Sequence, residues 1–223
     1  MVNIKDNIKE VTAQLPEGVT LVAVSKFHPV EALQEAYDAG QRIFGENRAQ
    51  ELIAKAPQLP NDIRWHFLGH LQKNKVRAIM PHVSMIESVD SVELLQLIEK
   101  EAARIDRTVE VLLQLHVAQE ETKSGFSPEV VLEAGEAGLL TCYPHIRICG
   151  VMAMASLTTD MDLVAQEFDL VRRTYITLKD GPFDESEDFN ELSMGMSDDW
   201  PVAVKYGATL VRIGTAIFGN REY

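Results

Sequence analysis

The chain has 223 residues, a length that suits one large domain and that barrels of alternating strands and helices commonly have. Hydrophobic residues make up 46% and charged residues 25% of the sequence, which is typical of a globular protein. The formal net charge of −13 argues against a broad surface for nucleic acid or an anionic membrane, because both require clustered positive charge. The sequence has no apolar run of about 18 residues, no signal peptide and no lipidation motif, so we expect a cytoplasmic location.

The only two cysteines, Cys142 and Cys149, predict neither a disulfide nor a metal site. Their spacing matches no redox or zinc motif. Since cysteine is often simply buried, we expect two free thiols and no structural metal.

The first predicted element is an amphipathic helix over residues 3–15, with Ile4, Ile8, Val11 and Leu15 on one face. After it, short β-rich runs alternate with longer segments of helical periodicity. Several of the β-rich runs are apolar at consecutive positions, as expected of strands buried on both faces of a parallel sheet. The predicted strands are Thr20–Ser25, Arg42–Gly45, Trp65–Gly69, Ser84–Glu87, Val109–Val117, Arg147–Ala153, Glu191–Met194 and Thr209–Ile213.

Start and stop signals bound the helices between these strands. Pro29 and Pro128 occupy positions suited to a first helical residue, and Ser127 is a good N-cap. Asp90 with Glu93 predicts a variant of the capping box before an apolar stripe. Three glycines are predicted helix stops: Gly40, Gly138 and Gly207.

Eight strands with seven connecting segments favour a closed (β/α)8 TIM barrel over an open doubly wound sheet. The sequence ends ten residues after the last predicted strand, which leaves no room for a full eighth helix. We expect the N-terminal helix to cover that gap. With no linker, repeat or second domain evident, residues 1–223 are interpreted as a single domain.

Lys26 ends the first predicted strand. In barrels of this kind, function lies at the C-terminal ends of the strands. A lysine in a partly desolvated pocket loses some of its preference for the charged form and becomes a nucleophile toward aldehydes. A solvent-exposed lysine at a strand end is the alternative that position alone leaves open.

Two turns rich in glycine and hydroxyl groups follow the last two strands. Ser193–Ser197 has the sequence SMGMS and precedes a predicted helix with Pro201 in its first turn, while Gly214 and Thr215 follow the eighth strand. Glycine lets the backbone approach a ligand, and hydroxyl and N–H groups favour an anion. Barrels often bind a phosphate between these two loops, so we interpret the pair as a phosphate site. Ordinary tight turns are the alternative for each turn alone.

Arg212 lies in an otherwise apolar strand, where an unpaired guanidinium is costly. It is within reach of a ring held by the phosphate turns, and an arginine at a pyridine nitrogen would keep that nitrogen unprotonated. The ring is then a weaker electron sink than one paired with a carboxylate. An Arg–carboxylate pair inside the barrel is the structural alternative. Together, an amine, two phosphate turns and this arginine are the parts that hold pyridoxal 5′-phosphate (PLP) covalently.

Polar residues at the ends of the second and third strands leave more than one interpretation. Asn47 can hydrogen-bond a ligand in the barrel mouth or cap the next helix. His66 and His70, with an acid such as Glu46, suggest a metal-assisted hydrolase, although their spacing suits a metal only on a helix. We favour no metal. His116, in the fifth strand, is interpreted as a packed interior residue.

Five motifs, in this order along essentially the whole chain, resemble the pyridoxal phosphate homeostasis protein family, also called the YggS or proline synthase co-transcribed family. They are Ala23–Lys26 (AVSK), Phe44–Asn47 (FGEN), Trp65–Gln72 (WHFLGHLQ), Leu192–Asp198 (LSMGMSD) and Arg212–Gly219 (RIGTAIFG). The resemblance implies a barrel like the N-terminal domain of bacterial alanine racemase.

The resemblance also implies roles for individual residues. Lys26 would form the internal aldimine, a Schiff base with PLP, while Arg212 would face the pyridine nitrogen and Asn47 would lie near the ring. One departure is His116, where an asparagine is more usual, and no role is carried onto it. The phosphate would be held, partly through backbone N–H groups, by Ser193, Met194, Gly214 and Thr215.

The function implied by the resemblance is a carrier or regulator of PLP supply, with PLP-dependent apoenzymes as its recipients. The alternative is an amino-acid racemase. In alanine racemase the second base is a tyrosine from a separate β domain and the partner subunit, and this sequence has no such domain. We therefore expect a monomer that does not racemise amino acids efficiently.

Overall fold

The structure is a computed structural model that describes residues 3–120 and 124–219. Within these residues, eight parallel strands form a closed barrel in sequence order, so the (β/α)8 prediction is confirmed. Every strand lies within two residues of its predicted bounds. The strands are β1 (Thr20–Val24), β2 (Ile43–Glu46), β3 (Arg64–Phe67), β4 (Met85–Val89), β5 (Val109–Leu115), β6 (Ile146–Ala153), β7 (Glu191–Ser193) and β8 (Leu210–Ile213).

The α-helices surround the barrel and alternate with its strands. They are α1 (Ile4–Gln14), α2 (Val30–Asp38), α3 (Ala49–Lys55), α4 (Val76–Ile79), α5 (Val92–Ala103), α6 (Pro128–Glu136), α7 (Met161–Asp180), α8 (Trp200–Lys205) and α9 (Thr215–Phe218). Two short 3-10 helices, Ala56–Gln58 and Lys73–Lys75, precede β3 and α4. None of the helices in the described part of the chain has both the length and the apolar character that crossing a membrane requires.

The N-terminal helix lies where the sequence predicts it. The helix after β8, α9, has only four residues, and α1 packs against both α9 and α2. The side-chain amide of Asn7 donates a hydrogen bond to the Ile217 carbonyl at 2.8 Å. Helix α1 therefore completes the outer layer beside β8 and β1.

The apolar side chains form two cores, one on each side of the strands. The larger core lies between the strands and the helices. Alternate residues point to opposite faces of a strand, so a second set fills the barrel interior. That inner set comprises Val22, Leu68, Met85, Leu112, Cys149, Met152 and Leu210.

Both cysteines are free, as predicted. Cys149 belongs to the inner core, and burial raises the pKa of its thiol to about 12, which keeps it protonated and unreactive. Cys142 is exposed.

Two helix starts differ from their predictions. Pro29 is the N-cap of α2 and not its first residue. Ser91, not Asp90, is the N-cap of α5, and its hydroxyl accepts the Leu94 N–H at 3.3 Å. Asp90 instead lies 3.0 Å from Nδ1 of His70, so its carboxylate has another partner. At α6 the prediction is confirmed, because Ser127 is the N-cap and Pro128 the first helical residue.

Candidate functional site

A cavity of about 320 Å³ lies at the C-terminal ends of the barrel strands. Sites for small molecules commonly have volumes of about 300–1,000 Å³, so this cavity suits a compact ligand. Of the seven site residues predicted from the sequence, five line it: Lys26, Asn47, Arg212, Gly214 and Thr215.

The alternation of β1 places Lys26 at this cavity. Val22 and Val24 pack in the barrel interior, and Lys26 comes two residues later on the same face. Ser25, between them, points outward and donates a hydrogen bond from its hydroxyl to Glu46 Oε1 at 2.7 Å.

Asn47 occupies the corresponding position after β2. Its Oδ1 is buried and has no hydrogen-bond partner within the described parts of the chain. Buried acceptors without a partner are uncommon, so this oxygen is suited to a donor on a ligand. The alternative role as a helix cap is wrong, because the N-cap of α3 is Arg48.

The guanidinium of Arg212 is fixed inside the barrel at the floor of the cavity. It donates to Ser193 Oγ at 2.6 Å and to the Ala153 carbonyl at 2.7 Å, and lies 3.8 Å from Glu87 Oε2. The residue is only 4% exposed. Burial lowers the pKa of Arg212, while the negative charges of Glu87 and Asp199 oppose that change. The buried Arg–carboxylate pair that the sequence left open is therefore present, and its arginine also lines the cavity.

Glu87 is the centre of this buried network, and the sequence analysis missed it. Its Oε1 lies 2.6 Å from His66 Nδ1, and its Oε2 accepts the Ser193 hydroxyl at 2.6 Å. Burial by itself raises the pKa of this carboxyl, but the hydrogen bond and charge of His66 and the charge of Arg212 outweigh burial, and the pKa is lowered. The available signal was an acidic residue two positions after Met85 in an otherwise apolar strand.

Ser193 and Met194 are not brought to the cavity. Both are fully buried. The Ser193 hydroxyl is already engaged with Glu87 and Arg212, and the Met194 N–H donates to the Leu210 carbonyl at 3.2 Å. Because β7 ends at Ser193, the chain reaches the cavity only a few residues later. The residues of this loop that line the cavity are Met196, Ser197 and Asp198.

A turn at Gly195 directs this loop toward the cavity. Gly195 has φ +95°, and a Cβ there would lie 2.7 Å from Ala203 Cβ and 2.8 Å from Trp200 Cα. Glycine is therefore required on both conformational and steric grounds. The Met196 N–H donates to the buried carboxylate of Asp199, which holds the turn.

The loops after β7 and β8 present backbone donors. The N–H groups of Ser197, Asp198, Thr215 and Ala216 have no acceptor in the described parts of the chain. Two of these residues also carry hydroxyl groups. Such a set of unpaired N–H and O–H donors is suited to an anion such as a phosphate.

The residues that suggested a metal site are separated in the structure. His66 contacts Glu87, whereas the exposed His70 contacts Asp90. Glu46 lies outside the barrel, with Lys55 Nζ at 2.8 Å. Across residues 3–120 and 124–219, no three His, Cys, Asp or Glu side chains are grouped so that they could hold a metal ion. The described residues thus provide no set of metal ligands for the metal-assisted hydrolase that His66, His70 and Glu46 suggested.

Comparison with known sequences gives one consistent set of relatives. A family profile described as "Alanine racemase, N-terminal domain" matches residues 1–222. The pyridoxal phosphate homeostasis protein of Vibrio alginolyticus is 37% identical, and the alignment covers 100% of both chains. The protein of the same name from Schizosaccharomyces pombe is 37% identical over 92% of this chain and 85% of that relative.

Solved structures give the same picture. PipY of Synechococcus elongatus with PLP bound is 38% identical, with a TM-score of 0.87 over 97% of this chain and 100% of that chain. An alanine racemase of Clostridium difficile shares the fold, with 16% identity and a TM-score of 0.72 over 99% of this chain but only 57% of the racemase.

Proposed function

Because the chain belongs to the pyridoxal phosphate homeostasis protein family, within the proteins built on the alanine racemase N-terminal domain, we propose that residues 1–223 are one PLP-binding domain that serves PLP homeostasis. The observation that carries the proposal is the cavity in which Lys26 and Arg212 meet two loops with unpaired N–H donors. A relative 38% identical over 97% of this chain, PipY, has been solved with PLP bound.

The residues at the cavity fit PLP in size and chemistry. The two donor loops match the phosphate, the buried Oδ1 of Asn47 matches a donor on or near the ring, and Arg212 provides a fixed cation. When bound, PLP supplies an aldehyde that condenses with amines and a ring that withdraws electrons.

We assign Lys26 as the residue that holds PLP covalently. Its ε-amine would hold the cofactor, and bound PLP would supply the aldehyde with which this amine condenses with loss of one water molecule. On the phosphate side, the donors assigned are Thr215 and the Ser197–Asp198 backbone, while Ser193 supports Arg212 instead.

The fixed positive charge of Arg212 favours a role as a PLP carrier over a role as a catalyst. Glu87 balances its charge, so the guanidinium stays cationic in the barrel. A fixed cation at the ring nitrogen disfavours protonation of that nitrogen, which weakens the ring as an electron sink. The relatives that match along most of their length are named homeostasis proteins, whereas the racemase is much longer than this chain.

A spectroscopic experiment tests the covalent assignment. Adding PLP to the purified protein is expected to produce near-visible absorbance, and borohydride reduction followed by peptide mass spectrometry should fix the cofactor mass on Lys26. Lys26→Ala should abolish both signals without changing the circular dichroism spectrum, while Lys9→Ala, at an exposed position of α1, should retain them. Cofactor fixed on another lysine, or no spectral change in the wild type, contradicts the proposal.

Turnover separates the carrier from the racemase. We expect no substantial racemisation of a panel of L-amino acids by the PLP-loaded protein. Rapid loss of optical activity with any of them would favour the racemase alternative.

We also propose that the chain acts as a cytoplasmic monomer that delivers PLP to PLP-dependent apoenzymes. Two free cysteines, one of them exposed, agree with a reducing compartment. The native mass, and the recovery of activity when the loaded protein is mixed with an apoenzyme, are the measurements that test this.

A further inference from the structure

A buried ionic cluster lies behind β1 and β2, on the outer side of the barrel. It consists of Glu46, Glu51 and Lys55, here called the outer cluster. Lys55 Nζ lies 2.8 Å from Glu46 Oε1 and 2.7 Å from Glu51 Oε2. Lys55 is 7% exposed and Glu46 is fully buried. Burying the charged groups of Glu46 and Lys55, with Glu51 partly exposed beside them, is costly unless they have hydrogen-bond partners, so the other contacts of the cluster are informative.

The outer cluster holds both peptide groups that flank the Cα atom of Lys26. Lys55 Nζ donates to the Ser25 carbonyl at 3.0 Å, and this carbonyl belongs to the peptide group before Lys26. The Phe27 N–H belongs to the peptide group after Lys26 and donates to Glu51 Oε2 at 2.7 Å. Because peptide groups are planar, fixing both of them sets the direction in which the Lys26 side chain leaves the backbone.

The backbone on each side of Lys26 is further restrained. Ser25 donates its N–H to the Gly45 carbonyl at 3.0 Å and its hydroxyl to Glu46 Oε1 at 2.7 Å. Phe27 has φ 68°, a left-handed conformation that a bulky residue adopts only when its surroundings hold it there. The bond from Phe27 to Glu51 is one such restraint.

We propose that Glu46, Glu51 and Lys55 are positioning residues that aim the Lys26 amine at the PLP aldehyde. This inference rests on the proposed function, in which that amine forms the covalent bond to PLP. None of the three lines the cavity, so their effect passes through the backbone of Lys26. Orientation of the reacting groups is a large part of the driving force for such a condensation, and a displacement of about 1 Å can weaken it by about a hundredfold.

Pyridoxine 5′-phosphate carries an alcohol in place of the aldehyde, so it can bind through its ring and phosphate but cannot form the covalent bond. Comparing it with PLP separates the positioning of Lys26 from effects on folding and on binding of the ring and phosphate. The ratio of the Kd for pyridoxine 5′-phosphate to the Kd for PLP measures the gain from the covalent bond. We expect Lys55→Met and Glu51→Ala to lower this ratio by about ten- to a hundredfold. The Kd for pyridoxine 5′-phosphate itself should change much less.

A matched control is available on the neighbouring helix. Glu31 is an exposed acidic residue in the first turn of α2, as Glu51 is an acidic residue in the first turn of α3. Glu31→Ala should leave the ratio unchanged. If Lys55→Met fails to fold, Glu51→Ala carries the test, since Glu51 is partly exposed and its removal leaves Lys55 paired with Glu46.

The possible outcomes test the positioning role separately from the proposed function. A wild-type ratio well above one that persists in folded Glu51→Ala overturns the positioning role alone. An equal loss of affinity for both ligands also overturns it, because that result indicates a structural role. A wild-type ratio near one, with no cofactor fixed on Lys26 by borohydride, overturns the proposed function and the inference together.

Discussion

Two largely buried ionic clusters support Arg212 and Lys26, two basic residues of the cavity, in different ways. The inner cluster consists of His66, Glu87 and Ser193 and lies inside the barrel. Ser193 and Glu87 contact the guanidinium of Arg212, and His66 contacts Glu87. The outer cluster contacts the peptide groups on both sides of Lys26 and the hydroxyl of Ser25. One cluster fixes a side chain, and the other fixes a backbone.

This difference matches what each basic group has to do. A cation that acts through its charge is most effective when it is immobile and its charge state is fixed, and Glu87 provides both conditions for Arg212. Under the proposed function, the Lys26 amine would form and break a covalent bond and would change its own hydrogen bonds, which support through the backbone allows. The carboxylates differ accordingly: the pKa of Glu87 is lowered, whereas burial, partly opposed by Lys55, raises the pKa of Glu46.

The largest expected effect is at the centre of the inner cluster. Glu87→Gln leaves the guanidinium of Arg212 buried without its main countercharge and should lower the free energy of unfolding by about 3–5 kcal/mol. Urea denaturation measures this loss. Glu110→Gln is the matched control, since Glu110 pairs with the half-exposed Arg64 at 2.7 Å, and its loss should be at most about 1 kcal/mol. Equal losses for the two variants would contradict the assigned role of Glu87.

A smaller loss of stability is expected from Lys55→Met in the outer cluster, about 2–3 kcal/mol. The variant leaves Glu46 buried without its cation, but a carboxyl can take up a proton, whereas the guanidinium left by Glu87→Gln cannot give one up. The deficit relative to wild type should therefore shrink as the pH falls. A deficit that stays constant as the pH falls would show that Glu46 stays ionised in the variant.

Removing one hydroxyl from each cluster compares them directly. Ser193→Ala removes an acceptor from Arg212 and a donor from Glu87, so we expect a loss of about 1–3 kcal/mol. Ser25→Ala removes one donor from Glu46 Oε1, which keeps its bond to Lys55, and should lower stability by about 1 kcal/mol. Thermal or urea unfolding of the pair checks the order, and the reverse order would contradict the comparison.

The most gradual effect is the pH dependence of the inner cluster. The pKa of Glu87 is lowered in the folded state, so its ionised form stabilises the fold above the ordinary pKa of 4.5, and this contribution is lost as the pH falls through the lowered pKa. The stability difference between wild type and Glu87→Gln should be constant above pH 4.5 and decrease below it. A constant difference down to strongly acidic pH would mean that the pKa of Glu87 is not lowered in the folded state.

The fold and part of the site were predictable because they depend on patterns local in sequence. Apolar runs located all eight strands, and position at a strand end placed Lys26 and Asn47 at the cavity. Arg212 was recognised because a charged residue in an apolar strand is conspicuous. These features need no knowledge of which side chains meet across the barrel.

The supporting residues were not predictable because their roles arise only from long-range contacts. Lys55 has the appearance of a surface lysine near the end of a helix, yet it is buried against Glu46 and Ser25. Glu87 meets Arg212, which is distant in sequence, only when the barrel closes. The loop reaches the cavity at Met196–Asp198 and not at Ser193 and Met194 because of where β7 ends, which the apolar pattern alone does not determine.

The pairing of β1 with β8 has a consequence for when the cavity comes into existence. Ala23 is in register with Ile213, so the strand ends that lead to Lys26 and to Thr215 adjoin at the cavity. During folding, the cavity wall formed by Lys26, Arg212 and Thr215 therefore exists only once β1 and β8 have paired. Binding at this cavity accordingly requires the closed barrel and is not available to a partly folded chain.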